Sequence, residues 1–221
     1  MPKWDEEDHR RHKEIREREV SKEGEVQAAL EKAVKTRLEA GTVPFHTLDG
    51  HFRLYSVAHL DLVYGPAYCP SKYVSFYYHD EEGQSDYSGR RARDGKSLLG
   101  GNLYLNGSVN CSFEQFLPPL EASSEPFEIK EVGPDSRYTL AFQVIDNDHL
   151  IMKASRELVF MDRPKESRGP NTFVFMGIRD DSGRKRLLEI LRRAAVRSRN
   201  EETSKAAPRR KRKRRERRAR Q

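Results

Sequence analysis

The sequence is poor in cysteine and in long apolar runs, and each shortage excludes a class of protein. Only two of the 221 residues are cysteines, Cys69 and Cys111, and a disulfide between them is not expected in a reducing compartment. No stretch approaches the ~18 consecutive apolar residues of a membrane-spanning helix, so no membrane partner is expected. The first residues are dense in both signs of charge and have no apolar core region, which is not typical of a secretory signal.

The sequence also lacks the short motifs that mark common catalytic and cofactor sites. It contains no Gly-x-Ser-x-Gly elbow, no phosphate-binding loop, no Gly-x-Gly-x-x-Gly and no His-Glu-x-x-His. The two cysteines and the scattered histidines show no recognised zinc spacing. The interpretation we favour therefore includes no cofactor, no metal and no assigned catalytic residue, although an enzyme is kept as an alternative.

Charge, in contrast, is abundant and unevenly distributed. From Arg184 onward there are 18 basic and 4 acidic residues, a net charge of +14. The preceding 183 residues contain 24 basic and 31 acidic residues, a net charge of −7. An acidic body with a basic end is typical of proteins that contact nucleic acid or another acidic partner through that end.

Periodicity and charge together predict a mainly β (α+β) protein. A stripe of apolar residues at helical spacing, from Val26 to Leu38, indicates that the later part of the first helix docks, and Gly41 is a suitable stop. The predicted segments are a charged N-terminal helical segment (1–41), an antiparallel β domain (42–180), a basic amphipathic helix (181–200) and a disordered Arg/Lys-rich tail (201–221).

The β domain is predicted from alternating apolar residues separated by turn signals, without an intervening long helix. This pattern is typical of an antiparallel sandwich or a barrel-like sheet. Residues 51–64 and 158–160 are among the predicted strands, and the Asn-rich stretch at 106–112 is interpreted as turn sequence.

Six aromatic residues lie close together between Tyr64 and Tyr78. Tyr73 and Tyr77 on one strand face would suit base stacking, whereas aromatic residues in strands also fill cores. Because the body is net negative, we expect core packing for this cluster.

The basic tail carries the clearest functional signal. Such Lys/Arg-rich runs act as nuclear localisation signals or as nucleic-acid contacts, and arginine in particular makes bidentate phosphate contacts. We therefore predict a nuclear binding protein, a nuclear import receptor as one partner and the RNA or DNA phosphate backbone as another. The residues assigned to this role are Arg209, Arg210, Lys211, Arg212, Lys213, Arg214, Arg215, Arg217, Arg218 and Arg220.

Two alternatives remain open from the sequence. His59 and Asp61, two residues apart on the more polar face of a predicted strand, would supply two ligands of a non-haem iron site, with His149 as a third and Arg156 binding an acidic co-substrate. These few positions resemble the pattern of iron- and 2-oxoglutarate-dependent oxygenases, and this alternative requires the three side chains to converge. The other alternative is an assembly protein whose acidic body binds the basic tail of a neighbouring copy.

Overall fold

The computed structural model describes residues 5–43, 45–63, 71–79, 85–86, 98–106, 109–130, 138–161, 169–180 and 182. The chain divides into two units, Met1–Asp181 and Ser182–Gln221. Of the second unit only Ser182 is described, so the fold is that of the first.

The described residues form three helices and nine strands. In chain order these are α1 (Glu6–Ala40), β1 (Gly50–Tyr55), α2 (Val57–Val63), β2 (Tyr73–His79), β3 (Ser85–Asp86), β4 (Leu99–Asn106), β5 (Val109–Phe116), β6 (Phe127–Lys130), β7 (Thr139–Val144), β8 (His149–Ser155), α3 (Arg156–Val159) and β9 (Thr172–Arg179).

The strands form one antiparallel sheet that curves into a nearly closed barrel. Its order is β5-β4-β2-β1-β9-β8-β7-β6, with the short β3 paired to β2 outside this path. The pairing of β9 with β1 joins the first and last strands of the domain. The two ends of the sheet also approach each other, since the ring centroids of Phe116 on β5 and Phe127 on β6 are 5.7 Å apart. The predicted mainly antiparallel, barrel-like fold is thereby confirmed.

Large apolar side chains fill the inside of the barrel. Inward positions alternate along each strand, so that Phe52 and Leu54 on β1 are each only 1% exposed. The Phe76 ring lies 5.5 Å from that of Phe113 and 5.4 Å from that of Phe142, centroid to centroid. Burial of these rings supplies a large part of the hydrophobic stabilisation, and the interior is a packed core.

Helix α1 packs against the outer surface of the barrel. Its buried residues Val26 and Ala33 belong to a second apolar cluster, which includes the outward-facing Ile151, Met176 and Ile178 of β8 and β9. The predicted docking face is therefore confirmed over this stretch.

The ends of α1 follow from local backbone chemistry. Asp5 caps the first turn by accepting a hydrogen bond from the Asp8 amide at 2.8 Å. Gly41 adopts φ +80° and donates its amide hydrogen to the Arg37 carbonyl, a conformation that favours glycine, so the predicted stop is confirmed. Leu38, although predicted to belong to the docking face, is 84% exposed.

Two predicted strands contain helices instead. The strand predicted at 51–64 ends at Tyr55, and α2 begins at Val57. The strand predicted at 158–160 lies largely in α3, whose first turn is capped by the Ser155 hydroxyl. A short apolar run fits both the two-residue repeat of a strand and the 3.6-residue repeat of a helix. A serine, Ser56 or Ser155, precedes each of these two helices, and each helix still buries its apolar side.

The segment interpreted as turn sequence at 106–112 is partly a strand. Asn106 does cap the connection between β4 and β5, because its side-chain oxygen accepts the Val109 amide hydrogen at 3.0 Å. However, Asn110 and Ser112 lie within β5 and face outward, where polar residues alternate with a buried Cys111.

In the part of the chain that the structure describes, no helix is both long and apolar enough to cross a membrane.

Candidate functional site

The basic residues assigned from the sequence lie outside the described residues. This holds for the run from Arg209 to Arg220 and, apart from Ser182, for the predicted basic helix at 181–200. Both stay predictions, and so do the segment boundaries given above. Cys69, Tyr64 and Tyr68 also lie outside the described residues.

His59 belongs to the core. It lies on α2 and is fully buried, with its ring centroid 5.1 Å from that of Phe175 and 6.1 Å from that of Phe173, both in edge-to-face geometry. This position results from the helical turn of α2, which directs His59, Leu60 and Val63 inward. The prediction that His59 lies on the polar face of a strand is wrong.

Asp61 lies on the same helix but contacts α1. Its two carboxylate oxygens accept hydrogen bonds from the Arg16 Nε at 3.1 Å and 3.2 Å. The side chains of this ion pair are 49% and 38% exposed, so solvent screens it. Asp61 therefore links two helices, and its partner is a cation of α1.

His149 forms a separate polar cluster where β8 begins. Its Nδ1 lies 2.9 Å from Asp146 Oδ1, and its Nε2 lies 3.8 Å from Glu25 Oε1 on α1. The hydrogen bond with Asp146 raises the pKa of His149, against the opposing effect of burial. Burial tends to raise the pKa of Asp146, but the hydrogen bonds from His149 and the Asp148 amide outweigh it, and the net shift is downward.

The three proposed iron ligands do not converge. Each of His59, Asp61 and His149 has a different environment, and the described residues contain no group of three His, Cys, Asp or Glu side chains that could hold a metal ion. Arg156 is also occupied, because its guanidinium donates hydrogen bonds to the backbone carbonyls of Gly169 and Pro170. The alternative interpretation, an iron site at these positions, is wrong.

A buried ion pair connects α1 to the barrel, and no sequence pattern indicates it. Lys72 Nζ lies 2.7 Å from Glu19 Oε2, and the two side chains are 0% and 7% exposed. The same carboxylate oxygen accepts the Ser56 amide hydrogen at 2.6 Å, and Glu23 accepts that of Val57 at 2.8 Å. Carboxylates from α1 thus satisfy amides at the start of α2, where a helix favours negative charge.

The outer side of β1, β2 and β4 presents a different surface, made of aromatic and polar side chains. The strand register aligns His51 with Ser75 and Asn102, and Arg53 with Tyr73 and Tyr104. We refer to these six residues as the outer aromatic face; all are half-buried: His51, Arg53, Tyr73, Ser75, Asn102 and Tyr104.

The rings on the outer aromatic face are organised across the strands. Tyr73 and Tyr104 are stacked, with centroids 5.2 Å apart and planes inclined by 18°. The His51 ring lies 4.6 Å from Tyr73, and its Nδ1 is within 2.9 Å of the Ser75 hydroxyl. Burial and the nearby Arg53 charge lower the pKa of His51, against the attraction of Asp180.

The sequence-based expectation for the aromatic cluster is therefore only partly correct. Phe76 and Tyr78 are buried, as expected for core residues, whereas Tyr73 and Tyr77 lie on the opposite, outward side of β2 and are half-buried. Ser75, midway between them, is the signal that marks the outward side.

No protein-family model matches the chain, and no curated protein and no solved structure matches it either.

Proposed function

We propose that the protein is a nuclear, non-enzymatic binding protein whose basic tail serves as an import signal and contacts nucleic-acid phosphates without sequence preference. The observation that supports this proposal is the separation of charge along the chain. The residues from Arg184 onward carry a net charge of +14, whereas the preceding residues carry −7. A local excess of this size attracts polyanions even though the whole chain is only moderately basic.

The composition of the run from Arg209 to Arg220 supports phosphate contact. It contains eight arginines and two lysines and only one acidic residue, Glu216. Arginine donates paired hydrogen bonds to phosphate oxygens, and each neutralised phosphate releases condensed counterions. Lys211 and Lys213 stand among arginines in the arrangement that import receptors favour. The same residues therefore serve both roles.

The packed barrel favours a binding role on the surface. Its inward positions are occupied by side chains such as Phe52, Phe142 and Phe175, each at most 1% exposed. A partner of the body would accordingly meet the outside of the barrel.

Neutralising the tail tests the proposal. In the test variant, the ten basic residues from Arg209 to Arg220 are replaced by glutamine, which keeps the chain length. In a fluorescent fusion too large for passive passage through nuclear pores, the nuclear signal should disappear. In vitro, affinity for duplex DNA at low salt should fall, and the slope of log K against log salt should decrease by roughly 0.9 for each phosphate that the variant no longer neutralises.

A matched control keeps the charge. Replacing Lys211 and Lys213 by arginine should leave the affinity for DNA and its salt dependence unchanged, because every positive charge remains. If the glutamine variant stays nuclear and binds DNA as the unmodified protein does, the proposal is wrong.

A further inference from the structure

The outer aromatic face has features that an ordinary solvated sheet surface does not require. Tyr73 and Tyr104 lie side by side with nearly parallel planes and remain half-buried. Among the residues that the structure describes, no hydrogen bond or ion pair engages the Arg53 guanidinium, which lies in register with Tyr73. Proteins that bind single-stranded nucleic acids combine cations with aromatic rings on a sheet in this way.

The other outer side of the barrel makes the contrast clear. There the outward residues Ile151, Met176 and Ile178 are aliphatic or thioether side chains, and α1 covers them. The outer aromatic face instead combines rings with hydrogen-bonding groups such as Asn102 and Ser75. Two regions of the outer surface of the barrel thus have different chemistry. One is a packing surface for α1, and the other offers stacking and hydrogen bonds.

We infer that the outer aromatic face binds the bases of single-stranded nucleic acid, with Tyr73 and Tyr104 as the stacking platform and Arg53 as a phosphate or base contact. This inference rests on the proposed nucleic-acid contact of the tail. The tail supplies the long-range attraction that a body of net charge −7 lacks. The face supplies contacts that phosphates alone do not make, since every base has a flat surface that stacks on an aromatic ring.

The different ligands of the tail and of the outer aromatic face can be distinguished by a binding measurement. The basic tail responds to phosphates, so it cannot distinguish an intact strand from an abasic strand of equal length and charge. The aromatic face responds to bases. We therefore expect the full-length protein to bind a thymidine oligonucleotide of about fifteen nucleotides at least about fivefold more tightly than the abasic analogue.

Substitutions at the two tyrosines test the assignment. Tyr73→Thr and Tyr104→Thr remove the rings but keep residues that favour strands. Fluorescence anisotropy with both probes should show that the double variant loses the preference for the thymidine strand, with affinity for the abasic strand unchanged. Tyr73→Phe should retain the preference, because a phenyl ring also stacks. Circular dichroism should show the same strand content in all variants.

Arg53 has a matched control on the other side of the barrel. Lys153 is an exposed cation on β8. This strand lies between β7 and β9, away from the outer aromatic face. Arg53→Ala should weaken binding of the thymidine strand more than Lys153→Ala, which removes the same charge elsewhere. Equal effects of the two variants would overturn the role of Arg53 as a local contact.

The tail variant separates this inference from the proposed function. Glutamine in place of the ten basic residues should weaken binding of both probes and leave their affinity ratio above one. If that variant binds as tightly as the unmodified protein, the tail proposal fails while a ratio above one still supports the face. Equal binding of the two probes by the unmodified protein, or no binding of either, overturns the assignment of the face.

Discussion

Replacing Lys72 by methionine should destabilise the protein by about 3–5 kcal/mol, the usual cost of removing one partner from a buried ion pair. The Lys72 side chain is fully buried, and its ammonium nitrogen lies 2.7 Å from the carboxylate of Glu19, which is itself 7% exposed. Methionine has a similar length and is apolar, so it fills most of the same space. The destabilisation then comes mainly from the carboxylate, which keeps the Ser56 amide but no longer has a cation beside it.

Urea unfolding at pH 7 followed by circular dichroism measures this change, and a thermal scan should show a melting temperature lower by about 6–20 °C. The control is Lys35→Met, which breaks an exposed pair with Glu39 at 3.9 Å and should change the stability by less than about 0.5 kcal/mol.

A second substitution shows whether the stranded charge is the cause. Adding Glu19→Gln to Lys72→Met removes the unpaired carboxylate while an amide oxygen remains to accept the Ser56 amide hydrogen. The double variant should therefore recover most of the stability that Lys72→Met removes. An unpaired buried carboxylate is not the cause if Lys72→Met is as mild as Lys35→Met, or if the double variant is less stable than the single one.

Three further predictions concern single positions. The hydrogen bond with Asp146 raises the pKa of His149 in the folded protein, so the contribution of His149 is fully present below its ordinary pKa of 6.5 and is lost as the pH rises through the folded pKa. The stability advantage over His149→Gln in urea titrations should therefore shrink as the pH is raised above 6.5. Gly24 lies exposed within α1 with nothing within 4 Å of an added Cβ, so Gly24→Ala should raise the free energy of unfolding by about 0.5–1 kcal/mol, and a decrease would contradict the helical assignment. Gly101→Ala should destabilise by at least about 1–3 kcal/mol, because an added Cβ would collide with the Phe113 ring and the Ser75 carbonyl, and an unchanged melting temperature would contradict the close packing.

The sequence predicted those features of the fold that depend on local chemistry. The helix α1 and its stop at Gly41 follow from apolar spacing and the conformational freedom of glycine. Most strands follow from alternation, which is strong where one side of a strand faces a packed core. Local patterns failed where a short apolar run fits both the strand repeat and the helix repeat, as at residues 57–63, which form α2.

The contacts that hold the elements together were not predictable in this way. Glu19 and Lys72 are 53 residues apart, and neither is distinguished from the many other charged residues of the chain. Pairing of this kind depends on where α1 lies on the barrel, which in turn depends on its apolar side and on the outward residues of β8 and β9. The proposed iron ligands could not be tested from the sequence for the same reason. His59 and Asp61 are only two residues apart, but a helical turn directs their side chains differently.

The outer aromatic face shows why net charge is a poor guide to a local surface. The negative charge of the body as a whole predicts that Tyr73 belongs to the core, but a net charge summed over 183 residues does not describe the six residues of this face. Arg53 pairs in register with Tyr73, and the ring centroid of His51 lies 4.6 Å from that of Tyr73. Under the two proposals, the basic tail would attract a polyanion over a distance, and the outer aromatic face would respond to its bases.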